Sequence, residues 1–96
     1  MPNPSLIDSV KMALRVTGSE FDDEITILIH AGKAELHMLG ITDLTDTDPL
    51  FRMAVVTYCR IHFGEPSDFE RLKRIYDEQK AQLMTAYTYR GGDSNG

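Results

Sequence analysis

Apolar residues recur at helical spacing in four segments of the chain, which predicts helices rather than strands. The predicted helices cover residues 6–16, 23–39, 49–63 and 68–87. Residues 88–96 can bury little apolar area, and we expect this C-terminal tail to be flexible in isolation. The chain has 96 residues, which is room for one domain. We therefore predict an all-α fold, a single domain over residues 1–96 built as a small bundle of about four helices.

Residues typical of helix ends lie at the borders of these segments. Ser5 is a predicted N-cap of the first helix, and Asp48, which a proline follows, is the predicted N-cap of the third. Ser67 and Glu70 match the Ser-x-x-Glu capping box at the start of the fourth helix. Gly18 follows the first helix and can adopt the left-handed conformation that ends a helix. Glycines also follow the second and third helices.

Two features of the apolar pattern concern packing between helices. The third predicted helix, residues 49–63, is apolar nearly all round. Such a helix is usually buried on most sides, so we expect it at the centre of the bundle or partly under a neighbouring subunit. Gly32 lies within the apolar stripe of the second helix, where it costs about 1 kcal/mol of helix propensity relative to Ala. It permits close approach of another helix, or it marks a kink.

Charge argues against a general nucleic-acid binder. The chain carries 15 acidic and 10 basic residues and a formal net charge of −5, whereas phosphate neutralisation needs a basic surface. A helix-turn-helix recognition helix must expose polar and basic residues. The third helix is too apolar for that role, and the fourth interleaves acidic residues with its basic ones.

The acidic residues between the second and third helices do not match a calcium loop. Asp43, Asp46 and Asp48 cluster there, but an EF-hand loop needs a central Gly and a Glu in the twelfth position. The twelfth residue from Asp43 is Ala54, and the loop has no Gly. We interpret the cluster as turn-forming residues and a helix cap.

Other metal-binding or catalytic patterns are incomplete. His30 and His37 can share a helix face, and Cys59 and His62 are three residues apart, but zinc needs three or four ligands. Cys59, the only cysteine, lies in an apolar run and is expected to be buried. There is no Gly-x-Ser-x-Gly elbow and no phosphate-binding loop. We expect no catalytic residue, no metal and no cofactor, and so a protein that is not an enzyme.

A set of short segments carries a resemblance to a known family. These segments are Val10–Gly18, Phe21–Ile25, Leu28–Ile29, Ala31–Leu36, Gly40–Ile41, Asp48–Leu50, Ala54–Tyr58 and His62–Gly64. Their order and spacing resemble the head–tail connector (adaptor) proteins of tailed bacteriophages, the small helical ring-forming kind that binds below the portal. The resemblance runs from about Leu6 to Tyr89.

The resemblance implies a structural role in the virion. It implies a closed ring of about twelve copies on the portal vertex, which extends the DNA channel and links the filled head to the tail or to a stopper protein. DNA would pass through the channel without specific binding, and no membrane would be involved. The protein would be made in the bacterial host cytoplasm and would end at the head–tail junction. The family has no catalytic residues to carry over.

Candidate interaction residues come from the acidic loop, the start of the third helix and the tail, since the loop and the tail are not committed to the core. They are Asp43, Leu44, Asp46, Phe51, Arg52, Tyr87, Tyr89 and Arg90. Two other interpretations remain open at this point. One is a small cytoplasmic helical adaptor or regulator that binds one protein partner without a ring, and the other is a DNA-binding regulator.

Overall fold

A computed structural model describes residues 5–41 and 45–95, with the side chains of the last helix described through Ala86. Four helices account for most of these residues, and no strand occurs among them. The helices are α1 (Leu6–Leu14), α2 (Asp22–Met38), α3 (Pro49–His62) and α4 (Phe69–Asn95). The predicted all-α bundle is therefore confirmed.

The N-termini of α1 and α3 are capped as the sequence predicts. The Ser5 hydroxyl accepts a hydrogen bond from the Asp8 amide at 3.2 Å. The Asp48 carboxylate accepts hydrogen bonds from the amides of Leu50 and Phe51 at 3.0 and 3.1 Å, and a proline occupies the first helical turn. Each cap satisfies amides that have no partner within their own helix.

The start of α4 differs from the predicted capping box. No hydrogen bond joins Ser67 to Glu70 among the described residues. Instead the Asp68 carbonyl accepts the first helical bond, from Leu72 at 3.0 Å, which places Asp68 at the N-cap. The Asp68 carboxylate accepts a hydrogen bond from the Arg71 guanidinium at 2.8 Å. This hydrogen bond lowers the pKa of the Asp68 carboxyl.

The end of α1 is formed by Arg15 rather than by Gly18. Arg15 adopts the left-handed conformation (φ 61°), its amide donates to Met12, and the next amide, of Val16, donates to Lys11 at 2.9 Å. This is a Schellman turn built on a residue other than glycine. The turn must come early because Val16 packs against the core. At the end of α2 the same turn is built on a glycine, Gly40 (φ 90°).

The backbone of α4 is helical to Asn95, eight residues past the end that the apolar pattern predicts. No proline lies between Phe69 and Asn95, and each of the two consecutive glycines near the end costs about 1 kcal/mol without forbidding a helix. The flexibility of the tail in isolation stays a prediction.

The third helix is the centre of the bundle, which confirms the prediction from its apolar composition. It packs against α1, α2 and α4. Its buried side chains point to several sides of the helix, and they are Phe51, Ala54, Val55, Thr57, Cys59 and Ile61. Because α3 is surrounded, most of the core is formed by side chains that meet on it.

Gly32 lies where α2 packs closely against Tyr58 of α3. A Cβ atom at Gly32 would lie 3.0 Å from Cδ1 and 3.2 Å from Cγ of Tyr58. The Tyr58 ring is itself held between His62, with ring centroids 4.3 Å apart, and Tyr76, with centroids 5.8 Å apart. Since α2 continues unbroken through Gly32, the structure favours the close-approach interpretation over a kink.

Candidate functional site

Two of the predicted interaction residues, Asp46 and Arg52, lie together beside the start of α3. The Arg52 guanidinium donates to the Asp46 carbonyl at 3.0 Å and also to the Ser9 hydroxyl of α1. The Asp46 carboxylate pairs with Lys33 of α2 at 2.7 Å. These contacts tie the end of the α2–α3 connection to α1 and α2.

The remaining predicted interaction residues are placed differently. The Phe51 side chain is 1% exposed and lies in the core beside His37, so it does not reach the surface. It is buried because α3 is the central helix. Asp43 and Leu44 lie outside the described residues. The side chains of Tyr87, Tyr89 and Arg90 also lie outside the described part of α4.

An open groove of about 590 Å³ lies between α3 and α4, with Ser9 of α1 at its edge. Its α3 side is formed by Pro49, Met53, Val56 and Arg60, and its α4 side by Ile75 and Gln79. We call this surface the α3–α4 groove. Most of its exposed surface area is apolar, and Met53 is 55% exposed. Arg52 and Arg60 line it, whereas no carboxylate does among the described residues.

A second apolar surface runs along the outer side of α2. Ile27 is 68% exposed, Met38 is 86% exposed, and His30 and Ala34 between them are also exposed. We call these four residues the α2 stripe. They follow helical spacing and lie opposite the buried face of the same helix, which is formed by Ile25, Ile29, Gly32 and Leu36. Helix α2 is therefore apolar on two opposite faces.

Sequence reasoning found the buried face of α2 and missed the exposed one. The signal for it is present in the sequence, because residues 27, 30, 34 and 38 have the i, i+3, i+7, i+11 spacing of one helix face. The sequence gives no comparable signal for the α3–α4 groove, because the groove forms only where two separate helices pack together.

A polar cluster links α2 to α4 on another side of the bundle. The Tyr76 hydroxyl donates to Glu35 Oε1 at 2.8 Å, and Lys80 Nζ lies 3.6 Å from the same oxygen. Lys80 also lies over the Tyr76 ring, 4.6 Å from its centroid. Burial and the neighbouring Glu35 raise the pKa of Tyr76 well above its usual value, so the phenol remains a donor. The carboxylate is thus engaged in holding two helices together.

A family model described as phage connector protein matches residues 6–90 of the chain. The match covers all four helices apart from the last residues of α4. The chain belongs to the phage connector family. The resemblance found from the sequence is thereby confirmed. Comparison with curated proteins and with solved structures finds no significant match.

Three residues of this connector that were considered for metal or thiol chemistry, Cys59, His37 and His62, make packing contacts, whereas His30 is exposed. Cys59 is fully buried, and burial raises the pKa of its thiol to about 12. His62 stacks on Tyr58 and His37 on Phe51. No three His, Cys, Asp or Glu side chains come together among the residues that the structure describes. Within the same residues, no helix has the length and apolarity needed to span a membrane.

Proposed function

We propose that this connector is a non-catalytic structural part of the head–tail junction. Identical copies, about twelve, form a closed ring on the portal vertex, extend the DNA channel and link the filled head to the tail or to a stopper protein. The observation that carries the proposal is the family match over residues 6–90, which spans nearly the whole chain. The protein would be a virion component after synthesis in the host cytoplasm.

The surface of the fold supports an assembly role. Two separate apolar surfaces, the α2 stripe and the α3–α4 groove, are open to solvent in one copy of the chain. Contiguous exposed apolar surface in a small protein commonly marks an interaction site. A domain of this size also gains proportionally more from burial against neighbours than a large one does.

Charge supports passage of DNA without specific binding. The net charge is −5, and several lysines are neutralised within the fold: Lys11 pairs with Asp22 at 2.7 Å, and Lys33 pairs with Asp46 at the same distance. A channel with few free cations repels rather than grips the phosphate backbone. Tight binding of assembled rings to duplex DNA at physiological salt would contradict this part of the proposal.

The C-terminal end of α4 is the proposed contact with the portal, through Tyr87, Tyr89 and Arg90. Deleting residues 88–96 should abolish attachment to portal-bearing heads while the thermal unfolding of the bundle stays cooperative. Deleting only residues 91–96 is the matched control, because it keeps Tyr89 and Arg90 and should leave attachment intact. Normal attachment of the longer truncation would exclude this contact.

The test of the proposed function is complementation of head–tail joining. A phage that lacks this gene should accumulate DNA-filled heads and separate tails, and adding the purified protein to the two fractions should produce infectious particles. If the deletion phage joins heads to tails normally, the head–tail role is wrong. A one-to-one complex with a single host protein, found instead, would favour an adaptor or regulator.

A further inference from the structure

We propose that the contact between neighbouring copies is formed by the α2 stripe of one copy docking into the α3–α4 groove of the next. This inference rests on the proposed function in one respect, namely that copies of the chain associate into a ring. The stripe is defined by Ile27, His30, Ala34 and Met38, and the groove by residues of α3 and α4 that include Met53 and Ile75.

The two surfaces face opposite directions across the bundle. The buried face of α2 contacts α3 at Tyr58, where it meets Gly32. Tyr58 lies five residues after Met53 and two residues after Val56, both of which line the groove. At 3.6 residues per turn, Tyr58 is therefore rotated by about 140° from Met53 and about 200° from Val56 around the axis of α3. The stripe lies on the far side of α2 and the groove on the far side of α3. A surface and its complement on opposite sides generate head-to-tail association, which closes into a ring when the rotation per copy allows.

The dimensions of the two surfaces match. The stripe extends over twelve residues of α2, from Ile27 to Met38, and the α3 wall of the groove also extends over twelve, from Pro49 to Arg60, so each spans eleven helical steps. At 1.5 Å per residue each surface is about 16 Å long. An apolar helix face that enters a groove of its own length is a common mode of recognition.

The polar groups of the two surfaces are complementary. The groove is lined by two arginines, whereas the face of α2 that carries the stripe has Asp23 one turn before Ile27 and neither Lys nor Arg on its axis. Arg52 donates to the Asp46 carbonyl at 3.0 Å within the same copy, whereas the Arg60 guanidinium lies 3.9 Å from the Asp68 carboxylate. Arg60 is therefore the arginine with the weaker contact inside the fold. Docking brings the acidic end of the stripe within reach of the basic groove, which fixes the direction of the contact.

Two variants, each defective in one surface, test the proposal. Ile27→Asp damages the stripe and leaves the groove intact, and Met53→Asp damages the groove and leaves the stripe intact. Both positions are more than half exposed, so both variants should fold. Neither variant can assemble alone, but the intact groove of the first should bind the intact stripe of the second. The mixture should therefore give a one-to-one heterodimer and nothing larger.

The readout is an NMR titration, which detects association as weak as about 1 mM. When the Met53→Asp chain is labelled and the unlabelled Ile27→Asp chain is added, amide shifts should change along the α2 stripe only. With the labels reversed, they should change along Pro49–Arg60 and near Ile75 and Gln79. The double variant Ile27→Asp/Met53→Asp is the matched control, and adding it to the labelled Met53→Asp chain should shift nothing.

The outcomes separate this inference from the proposed function. Absence of shifts in both titrations, or shifts confined to other surfaces, would overturn the interface, and complementation by the wild-type protein would then leave the connector role standing. Shifts at both surfaces would support the interface even if the wild-type protein failed to join heads to tails, in which case the proposed function would be the part that is wrong.

Discussion

Replacing Gly32 with alanine tests whether the close approach of α2 and α3 governs the packing of the bundle. The added methyl group would lie 3.0 Å from Cδ1 and 3.2 Å from Cγ of Tyr58, closer than carbon atoms normally approach. The ring has little freedom to retreat because His62 and Tyr76 pack on it. Either α2 must move away from α3, or the Tyr58 ring must leave its preferred position.

Two opposing effects determine the magnitude. Alanine gains about 1 kcal/mol of helix propensity over glycine in a helix interior. Overpacking a close-packed core typically costs about 1–3 kcal/mol. We expect Gly32→Ala to destabilise the protein by about 1 kcal/mol net, which corresponds to a fall of roughly 4–8 °C in Tm for a domain of this size.

Gly32→Ala should stabilise the protein rather than destabilise it when the Tyr58 ring is absent. In a Tyr58→Ala background the remaining Tyr58 atom near the added methyl group is Cβ, at 3.4 Å, which is ordinary van der Waals contact. Gly32→Ala should then stabilise the Tyr58→Ala protein by about 1 kcal/mol, because only the propensity gain remains. The coupling between the two positions is thus about 2 kcal/mol.

Urea unfolding followed by circular dichroism measures these differences as shifts in the midpoint at constant m-value. Low protein concentration keeps self-association out of the comparison. Ala34→Gly, two residues away on the exposed face of the same helix, is the control for local propensity and should cost about 1 kcal/mol. If Gly32→Ala stabilises the wild-type protein as much as it stabilises Tyr58→Ala, the packing argument is refuted.

Three further predictions concern single contacts. Cys59 should not react with a thiol reagent at pH 8 until the protein unfolds, and rapid labelling of the folded protein would contradict this. The free energy of unfolding should also fall between pH 9 and about pH 12, because the thiol ionises in the unfolded protein while it stays protonated in the folded one. Asp48→Ala should cost about 1–2 kcal/mol of unfolding free energy and Asp48→Asn less, since asparagine also caps; equal losses in urea unfolding would exclude a capping role. Tyr76→Phe removes the hydrogen bond to Glu35 and should cost about 1–2 kcal/mol, so an unchanged urea midpoint would show that the polar link is unimportant.

The features predictable from the sequence are those determined by neighbouring residues. Ser5 and Asp48 were identifiable as N-caps because the cap and the amides it serves are three residues apart or fewer. The composition of α3 predicted a helix buried on most sides, either at the centre of the bundle or partly under a neighbouring subunit, and its contacts with α1, α2 and α4 show the first of these. The family assignment likewise depended on the order of short segments along the chain.

Features that depend on distant packing were not predictable from the same patterns. Gly18 is the better residue for a left-handed turn, but Arg15 forms it because Val16 has to reach the core. Tyr76 and Glu35 are 41 residues apart, and nothing local links them. Phe51 is a predicted interaction residue at the start of the third helix, whereas its position on the central helix buries it.

The α2 stripe was predictable from the sequence but was not predicted. Its members have helical spacing, but the same helix has a second and more apolar face that satisfies the core. Two apolar faces on one exposed helix indicate that the chain has a partner.

The most direct test of the connector account is native mass spectrometry of the protein titrated onto the purified portal of its own phage. The account predicts that binding saturates at about twelve copies for each portal ring, and that the bound copies are in contact with one another. Absence of binding, or saturation at a single copy for each portal ring, would contradict it.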